Sequence, residues 1–505
     1  MSYQEGKEVG FLQTVVDTKT MRHSDAETIR CGTDSRELMW RAGKGIFQSY
    51  AWKGPVAIVA GGGNNAGDGY VLALCFKEAS IPCTIFLLSH SFSADGRYYY
   101  EKCKENGIET RLFDEKTDLS EYGEIVDCIF GTGFHGEVTG IAKTAIDSIN
   151  QSGAAVISAD INSGLDGDNG LSSLCVKSDL TVAIGFYKYG HFLGQAKDCI
   201  KALTCVDIGI GLYGRAVSLA EDSDFSAVLR PRRNDSHKGD YGYVSLLGGC
   251  TEYAGAVKLA NMSCAALRVG CGVAKLIVPA SIAPSVAPYL LESTLALLPD
   301  ESGHALLDPV RLDAVLAGQR ALAIGMGWGR SPKNAEILLY ILKHYSIPVV
   351  IDADGLNTLA EMDKTILLQT ECKVILTPHP KEMERLSGIP ITEIRKNPVG
   401  IAEVFAKEYG VCLLLKGTCT VVTDGVETYL VNRGCAGMAT AGSGDVLSGI
   451  LTGLLGYAPP TPLTVACGAY IAGLAGELAE RAVNPISMLA SDTVAHIGAA
   501  ISEMI

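Results

Sequence analysis

The stretch Gly437-Met438-Ala439-Thr440-Ala441-Gly442-Ser443-Gly444-Asp445 runs without a break into Val446-Leu447-Ser448-Gly449-Ile450-Leu451, whose apolar spacing is helical. Small residues let backbone N–H groups approach a phosphate closely. The unpaired N–H groups and dipole of a helix start favour an anion there. The segment therefore reads as an anion hole with a carboxylate, Asp445, beside it. An acidic residue after glycines is by itself more often an ordinary helix cap, so its surroundings decide.

Upstream, Leu413-Leu414-Leu415-Lys416-Gly417-Thr418-Cys419-Thr420 puts a lysine and a glycine at the end of an apolar strand, where open α/β sheets hold ligands. Asp352-Ala353-Asp354-Gly355-Leu356-Asn357 and Leu376-Thr377-Pro378-His379-Pro380-Lys381-Glu382 follow apolar strands in the same way. Turn formation explains the glycines and prolines but not the repeated Asp, His and Lys. Strands are expected at Tyr243 to Leu247, Ala321 to Ile324, Val349 to Asp352, Val374 to Leu376 and Val411 to Leu415, alternating with helical segments.

A second α/β series occupies Val56 to about Ile208, with strands expected at Val56 to Ala60, Thr84 to Leu88, Ile125 to Phe130, Ala155 to Ala159 and Leu180 to Ala183. After its first strand comes Gly61-Gly62-Gly63-Asn64-Asn65-Ala66-Gly67-Asp68-Gly69, then Tyr70-Val71-Leu72-Ala73-Leu74 at helical spacing. This is not G-x-G-x-x-G, and a bare glycine turn is a weak signal. Asn64, Asn65 and Asp68 add oxygens beside the anion site. Two later strand ends, Asp127-Cys128-Ile129-Phe130-Gly131-Thr132-Gly133 and Ala159-Asp160-Ile161-Asn162-Ser163-Gly164, point at the same edge. Asp160 is the natural candidate for proton transfer, and oxygens of Asn65, Asp127 and Ser163 suit a hard monovalent cation.

The 505 residues exceed what one core usually serves, and 48% hydrophobic with 19% charged residues is a globular composition. The rhythm breaks into a polar stretch between about Ala220 and Gly239, so the domains are expected to be 1–220 and 221–505. A net charge of −14 leaves no basic surplus for nucleic acid or an anionic membrane. The longest apolar stretches, around Val446 to Ala458 and Leu463 to Ala475, read as too short for a bilayer span, and a cytoplasmic location is expected. The sixteen cysteines show no Cys-x-x-Cys pair or zinc spacing and read as reduced core thiols.

Together the C-terminal segments resemble the ribokinase-like superfamily, whose terminal Gly-x-Gly-Asp supplies both anion hole and catalytic base. Within it, His237-Lys238-Gly239-Asp240-Tyr241-Gly242-Tyr243, Gly248-Gly249-Cys250, Tyr253-Ala254-Gly255-Ala256, Ala265-Ala266-Leu267-Arg268-Val269-Gly270-Cys271-Gly272 and Thr377-Pro378-His379-Pro380 look like the ADP- or ATP-dependent NAD(P)H-hydrate dehydratases, over about residues 225 to 500. The resemblance implies nucleotide contacts from Lys416, Gly417, Thr418, Cys419, Thr420 and Gly444. It implies a hydrate pocket lined by Ala256, Gly327, His379 and Asp445, and Mg²⁺ accompanying the nucleotide. Asp445 would remove the proton from the C6 hydroxyl of the hydrated nicotinamide as it attacks the terminal phosphoryl group, after which phosphate leaves. Cys250 stands where serine is expected, which puts one hydrogen bond near the substrate loop in doubt. A histidine between prolines could also serve only its own loop.

The N-terminal motifs, from about Leu12 to Leu212, look like the NAD(P)H-hydrate epimerase family. That resemblance implies hydrate binding by Asn64, Asn65, Ala66, Gly67 and Asp68, by Gly131, Thr132, Gly133, Phe134, His135, Gly136 and Glu137, and by Asp160. It implies K⁺ held by Asn65, Asp127 and Ser163, with Asp160 as the acid/base that interconverts R and S forms. Ala66 replaces a usual glycine, and Asn162 a usual proline, which should cost rigidity beside Asp160.

The expected protein is thus two tandem α/β domains, an N-terminal Rossmann-like parallel sheet and a C-terminal ribokinase-like domain. It is expected to epimerise NADHX and NADPHX and to dehydrate the S form, releasing AMP and phosphate if ADP is used. The sequence does not fix the nucleotide; by analogy with fused bacterial relatives ADP is favoured over ATP, and a homo-oligomer is expected. Two other readings stay open at this point. One is a kinase for a small alcohol such as a vitamin precursor, with a non-catalytic N-terminal nucleotide-binding module and a stable phosphorylated product. The other makes one half a sensing or protein-binding module, which would need neither Asp160 nor Asp445.

Overall fold

The computed structural model describes residues 13–262 and 267–505. Leu12, and Ala265 and Ala266 of the motif ending at Gly272, lie outside the described residues. The chain divides into two compact units, Thr14–Val217 and Ser218–Ile505.

In the N-terminal unit seven parallel strands lie in the order Glu109–Leu112, Cys83–Leu87, Val56–Ala60, Glu124–Cys128, Ala155–Ala159, Leu180–Ile184 and Leu203–Val206. The first of them in the sequence, Val56–Ala60, lies inside the sheet as its third strand, and the chain winds outward from it in both directions. Strand order therefore reverses between Val56–Ala60 and Glu124–Cys128, where such sheets open a crevice for ligands. Glu109–Leu112 and Leu203–Val206 are additions to the expected strands. The first reads Glu-Thr-Arg-Leu and is largely exposed, so as an edge strand it lacks the apolar run that marks a buried one. The strand at Ile125 stops at Cys128, two residues short of expectation, because Asp127 turns the chain by accepting the Ile129 N–H. A short parallel pair, Val15 and Val16 with Tyr187 and Lys188, fixes the chain that carries Lys188.

In the C-terminal unit seven parallel strands run in the order Thr294–Leu298, Val273–Pro279, Tyr243–Leu247, Ala321–Ile324, Val349–Ile351, Val374–Leu376 and Cys412–Leu415. Thr420–Thr423 and Thr428–Val431 extend the sheet antiparallel, and Ser218 and Leu219 then pair in parallel with Tyr429 and Leu430. The helices Ser443–Leu455 and Pro462–Ala482 fill the core against this sheet. The second corrects the expectation about apolar length. At 21 residues it is long and apolar enough to cross a bilayer, yet 83% of its apolar window is buried inside the unit, as a core helix requires. Glycine motifs in this unit also serve packing, since the Gly272 N–H donates to the Tyr241 and Gly242 carbonyls and binds the motif at His237 to the one at Arg268.

Candidate active sites

Both glycine loops end in a helix earlier than their spacing indicates. The N-terminal helix is Asn64–Glu78 with Gly63 as its cap, and the C-terminal one is Ser443–Leu455 with Gly442 as its cap. Asn64 to Asp68, and Asp445, therefore belong to first helical turns and not to loops. Neither helix has a side chain bonded to its first N–H groups, which leaves those donors for a ligand. Gly442 has φ +96°, and a Cβ there would lie 2.5 Å from Leu259 Cδ1, so only glycine lets the turn pack on the helix Ala254–Asn261.

In the N-terminal unit a cavity of about 730 Å³ lies over the crevice. Asn64, Asn65, Asp68, Gly131, Thr132, Gly133, Phe134, His135 and Asp160 line it, as expected for a shared site. The rest of the expected set is placed differently. Ala66 is 1% exposed, its methyl built into the apolar core, and Gly67 packs against Met39 and Gly96. Gly136 and Glu137 are exposed and lie outside the lining, because the chain turns away to solvent after His135.

Asp160 sits at φ +62°, rare for a residue with a side chain, and is held there from several directions. Its Oδ1 is 2.5 Å from Lys188 Nζ, Thr132 N approaches its Oδ2 at 3.4 Å, and its carbonyl is 2.8 Å from His191 Nε2. His191 Nδ1 accepts from the Lys188 N–H, so Nε2 carries the ring proton and donates to that carbonyl. Burial alone would raise the Asp160 carboxyl, but the Lys188 ammonium outweighs it and holds it below the usual carboxylate value. Asp68 behaves oppositely: burial, then the Asp160 charge, push it well above that value. Lys188 is missing from the sequence-derived set.

Asp127 is fully buried and accepts four hydrogen bonds, from Ser158 Oγ, Ser163 N, Ser163 Oγ and Ile129 N. Asn65 Nδ2 donates to the Phe130 carbonyl at 2.8 Å, while Asn65 Oδ1 is buried with no hydrogen-bond partner. Asn162 corrects the expected loss of rigidity. Its Nδ2 donates to Val176 O, Ser178 Oγ and Cys199 O, and its Oδ1 accepts from Thr181 Oγ1. A fully buried side chain thus ties the Asp160 turn to its neighbours where a proline ring would only stiffen the backbone.

In the C-terminal unit Asp352, Lys416 and the start of Ser443–Leu455 converge from strand ends. Lys416 Nζ is 3.0 Å from Asp352 Oδ1 and 3.8 Å from Glu382 Oε2. Ser448 Oγ donates to Asp352 Oδ2 at 2.8 Å. A Cβ on Gly444 would lie 3.4 Å from Asp352 Oδ2 and 3.6 Å from Lys416 Nζ, so the helix start faces the ammonium. Asp445 is pushed up to about 7, by burial first and by the Asp352 charge next, with Lys416 pulling the other way. A carboxylate poised there can accept a proton at neutral pH. Asp352 itself is held low by Lys416 against the effect of burial.

A Cβ added at Gly327, which has φ +59°, would strike Tyr253 O and Ala256 Cβ, so the two expected pocket residues Gly327 and Ala256 lie side by side. Gly329 N donates to Asp354 Oδ2 at 2.8 Å, joining that loop to the Asp352 strand end. His379 serves its own helix: Nδ1 accepts from Lys381 N and Glu382 N, and Glu382 Oε2 accepts from His379 N. Its capping role occupies Nδ1 and leaves the proton on Nε2, and burial and Lys416 hold the ring below its usual pKa. Cys419 is 3% exposed, so of the hairpin Lys416 to Thr420 only its backbone can meet a nucleotide at that position. Cys250 supplies a hydrogen bond of its own, Sγ to Glu252 Oε2 at 3.3 Å. Asp352 and Glu382, each at or just beyond a strand end, join the site through Lys416, a contact that their sequence motifs do not announce.

These two units define a two-domain α/β enzyme with a separate carboxylate centre in each unit. A family model described as NAD(P)H-hydrate dehydratase matches residues 244–498, and one described as YjeF-related protein N-terminus matches residues 35–190. The chain is 34% identical over 472 residues to the bifunctional NAD(P)H-hydrate repair enzyme of Moorella thermoacetica, covering 88% of this chain and 87% of that one. It is 31% identical to that of Coxiella burnetii, covering 96% and 99% of the two chains. The ADP/ATP-dependent NAD(P)H-hydrate dehydratase of Bacillus subtilis, crystallised with ATP/Mg²⁺, superposes with a TM-score of 0.50 at 27% identity, covering 57% of this chain and 99% of that one. A ribokinase-like superfamily protein of Enterococcus faecalis, with the same TM-score at 24% identity, shares the fold. The chain belongs to the family of bifunctional NAD(P)H-hydrate repair enzymes.

Proposed function

We propose that the N-terminal unit interconverts the R and S forms of NADHX and NADPHX at C6, and that the C-terminal unit dehydrates the S form with ADP or ATP. The observation that carries this reading is Asp445, poised near neutrality beside Lys416 and the uncapped helix start. Asp445 takes the C6 hydroxyl proton as that oxygen bonds to the terminal phosphorus, and the bond from phosphorus to the bridging oxygen breaks. AMP leaves from ADP, or ADP from ATP. The C6–O bond then breaks with loss of a C5 proton, releasing phosphate and restoring the dihydronicotinamide. Lys416 and the helix N–H groups offer the fixed positive potential that phosphoryl transfer requires.

In the other unit Asp160, ionised and facing the cavity, is proposed as the acid/base at C6. K⁺ is proposed at Asn65, Asp127 and Ser163, and the buried, unpartnered Asn65 Oδ1 supports it. Asp127, already accepting four hydrogen bonds, would orient Ser163 and supply charge. When bound, the ion adds positive potential at the cavity wall. For Mg²⁺, no cluster of three or more His, Cys, Asp or Glu suited to a metal is found among the described residues, so no step is assigned to it beyond accompanying the nucleotide.

Racemic hydrate should be fully returned to the dihydronicotinamide, read by its absorbance, with ADP and ATP compared side by side and ADP the better. Recovery of only half, where spontaneous epimerisation is slow, would remove the epimerase assignment. A stable phosphorylated product would favour the kinase reading. Replacing K⁺ by tetramethylammonium should slow epimerisation and leave dehydration unchanged.

A further inference from the structure

Lys188 lies in none of the motifs that mark the two sites, yet its side chain is 1% exposed and lines the N-terminal cavity. Burying an ammonium costs several kcal/mol unless it is well paired, about as much as a small domain can spare. Its Nζ has two acceptors, Asp160 Oδ1 at 2.5 Å and the Ile184 carbonyl at 2.8 Å, and its backbone is pinned by pairing with Val16. The ammonium is therefore held from behind by the strand Leu180–Ile184 and presented to one carboxylate oxygen. Asp160 has an unfavourable backbone conformation of its own, stabilised by the His191 contact to its carbonyl.

We infer that Lys188 is the positioning residue of the epimerase site: it fixes the Asp160 carboxylate in the orientation that faces the cavity and keeps it charged. The inference rests on Asp160 being the acid/base of that site. The other groups facing Asp160 cannot take this part. Asp68, from the helix Asn64–Glu78, is acidic, and behind it stands Asp25 of the helix Thr18–Arg30. His191 is held neutral, its pKa lowered to about 4 by burial and then by Lys188. Cys205, on Leu203–Val206, is a thiol raised to about 11 by burial. Thr132 contributes only a backbone N–H. Among these groups Lys188 is the positive charge, so without it two neighbouring carboxyls would be left to share one buried, acidic environment.

The experiment is the pH dependence of epimerisation in Lys188→Met and Lys188→Arg, with a carbon-13 titration of the Asp160 carboxyl in the wild-type full chain, assigned by its loss in Asp160→Asn. Lys188→Met should lower kcat about 100-fold at neutral pH. Its acid limb should move up by at least about one pH unit, a tenfold change in proton affinity, with little change in KM. Lys188→Arg keeps the charge and should hold the acid limb at its wild-type position while recovering part of kcat. Dehydration by the same chains should be unchanged. A Lys188→Met enzyme with a wild-type acid limb overturns the inference, whether or not kcat falls, because a merely structural lysine would lower activity without moving the limb. If Lys188→Met does not fold, the wild-type titration decides: a midpoint above about 4, the ordinary aspartate value, overturns the inference, and one below it supports it. Wild-type protein that titrates as expected but does not epimerise would instead remove the role assigned to Asp160.

Discussion

In each unit a lysine pairs with an aspartate that leaves the C-terminal end of a parallel strand, Lys188 with Asp160 in one and Lys416 with Asp352 in the other. Only in the first is the paired carboxylate also the one proposed to move a proton. There the ammonium acts directly, and Asp160 stays ionised far below neutral pH. In the second the ammonium is largely committed to Asp352, whose remaining charge helps burial raise Asp445 to about 7. The same kind of ion pair thus accompanies a carboxylate held below its usual value in one site and a carboxylate raised to about 7 in the other. What decides is whether the reacting carboxylate is a member of the pair or its neighbour.

The two units should differ most visibly when the carboxylate proposed to react in each is neutralised. Asp445→Asn should slow dehydration by about 10²- to 10⁴-fold while nucleotide binding stays measurable, and Asp160→Asn should do the same to R-to-S conversion and spare dehydration. Unchanged turnover in either variant ends its role. Lys416→Met leaves Asp352 buried and unpaired, which should cost about 3 kcal/mol in denaturant unfolding. Because Lys416 lowers the Asp445 pKa, its removal should also move the acid limb of dehydration above about 7. Asn162→Ala removes the donors to Val176, Ser178 and Cys199 and should destabilise the N-terminal unit by about 2 kcal/mol, seen as a lower urea midpoint. The smallest change is expected from Asp352→Asn. A base with a raised pKa loses activity as pH falls through that value, so removing the Asp352 charge and freeing Lys416 should shift the loss to lower pH, by about one unit or tenfold in rate on the acid limb.

Both aspartates proposed to react stand out in the sequence because each follows a local signal, an apolar run for Asp160 and a glycine turn before a helical pattern for Asp445. Their partners were less so. Lys416 and Asp352 meet across 64 positions, and Lys188 and Asp160 across 28, separations over which spacing carries no information. Lys188 is also borne on a strand of two residues, Tyr187–Lys188, too short to show a period. Its one available sign was a lysine closely following the apolar strand that ends at Ile184. Both helices start earlier than the apolar spacing shows because Asn64, Asn65, Ser443 and Gly444 suit a turn as well as a first helical turn, where their small side chains leave N–H groups open. Asn162 shows the converse: a departure from the family pattern looked like a loss until its four partners, all from later in the chain, were in place.

The helix Pro462–Ala482 follows every strand of the sheet it covers. During synthesis the parallel strands of that unit are finished while the apolar face they share is still waiting for its lid, and the lid itself is hydrophobic enough to be mistaken for a membrane segment. In the N-terminal unit every helix precedes the last strand of its sheet, Leu203–Val206, so no face waits in this way. Of the two halves, the C-terminal one is therefore expected to expose apolar surface longer as a nascent chain, and destabilising changes there should be converted more readily into aggregation.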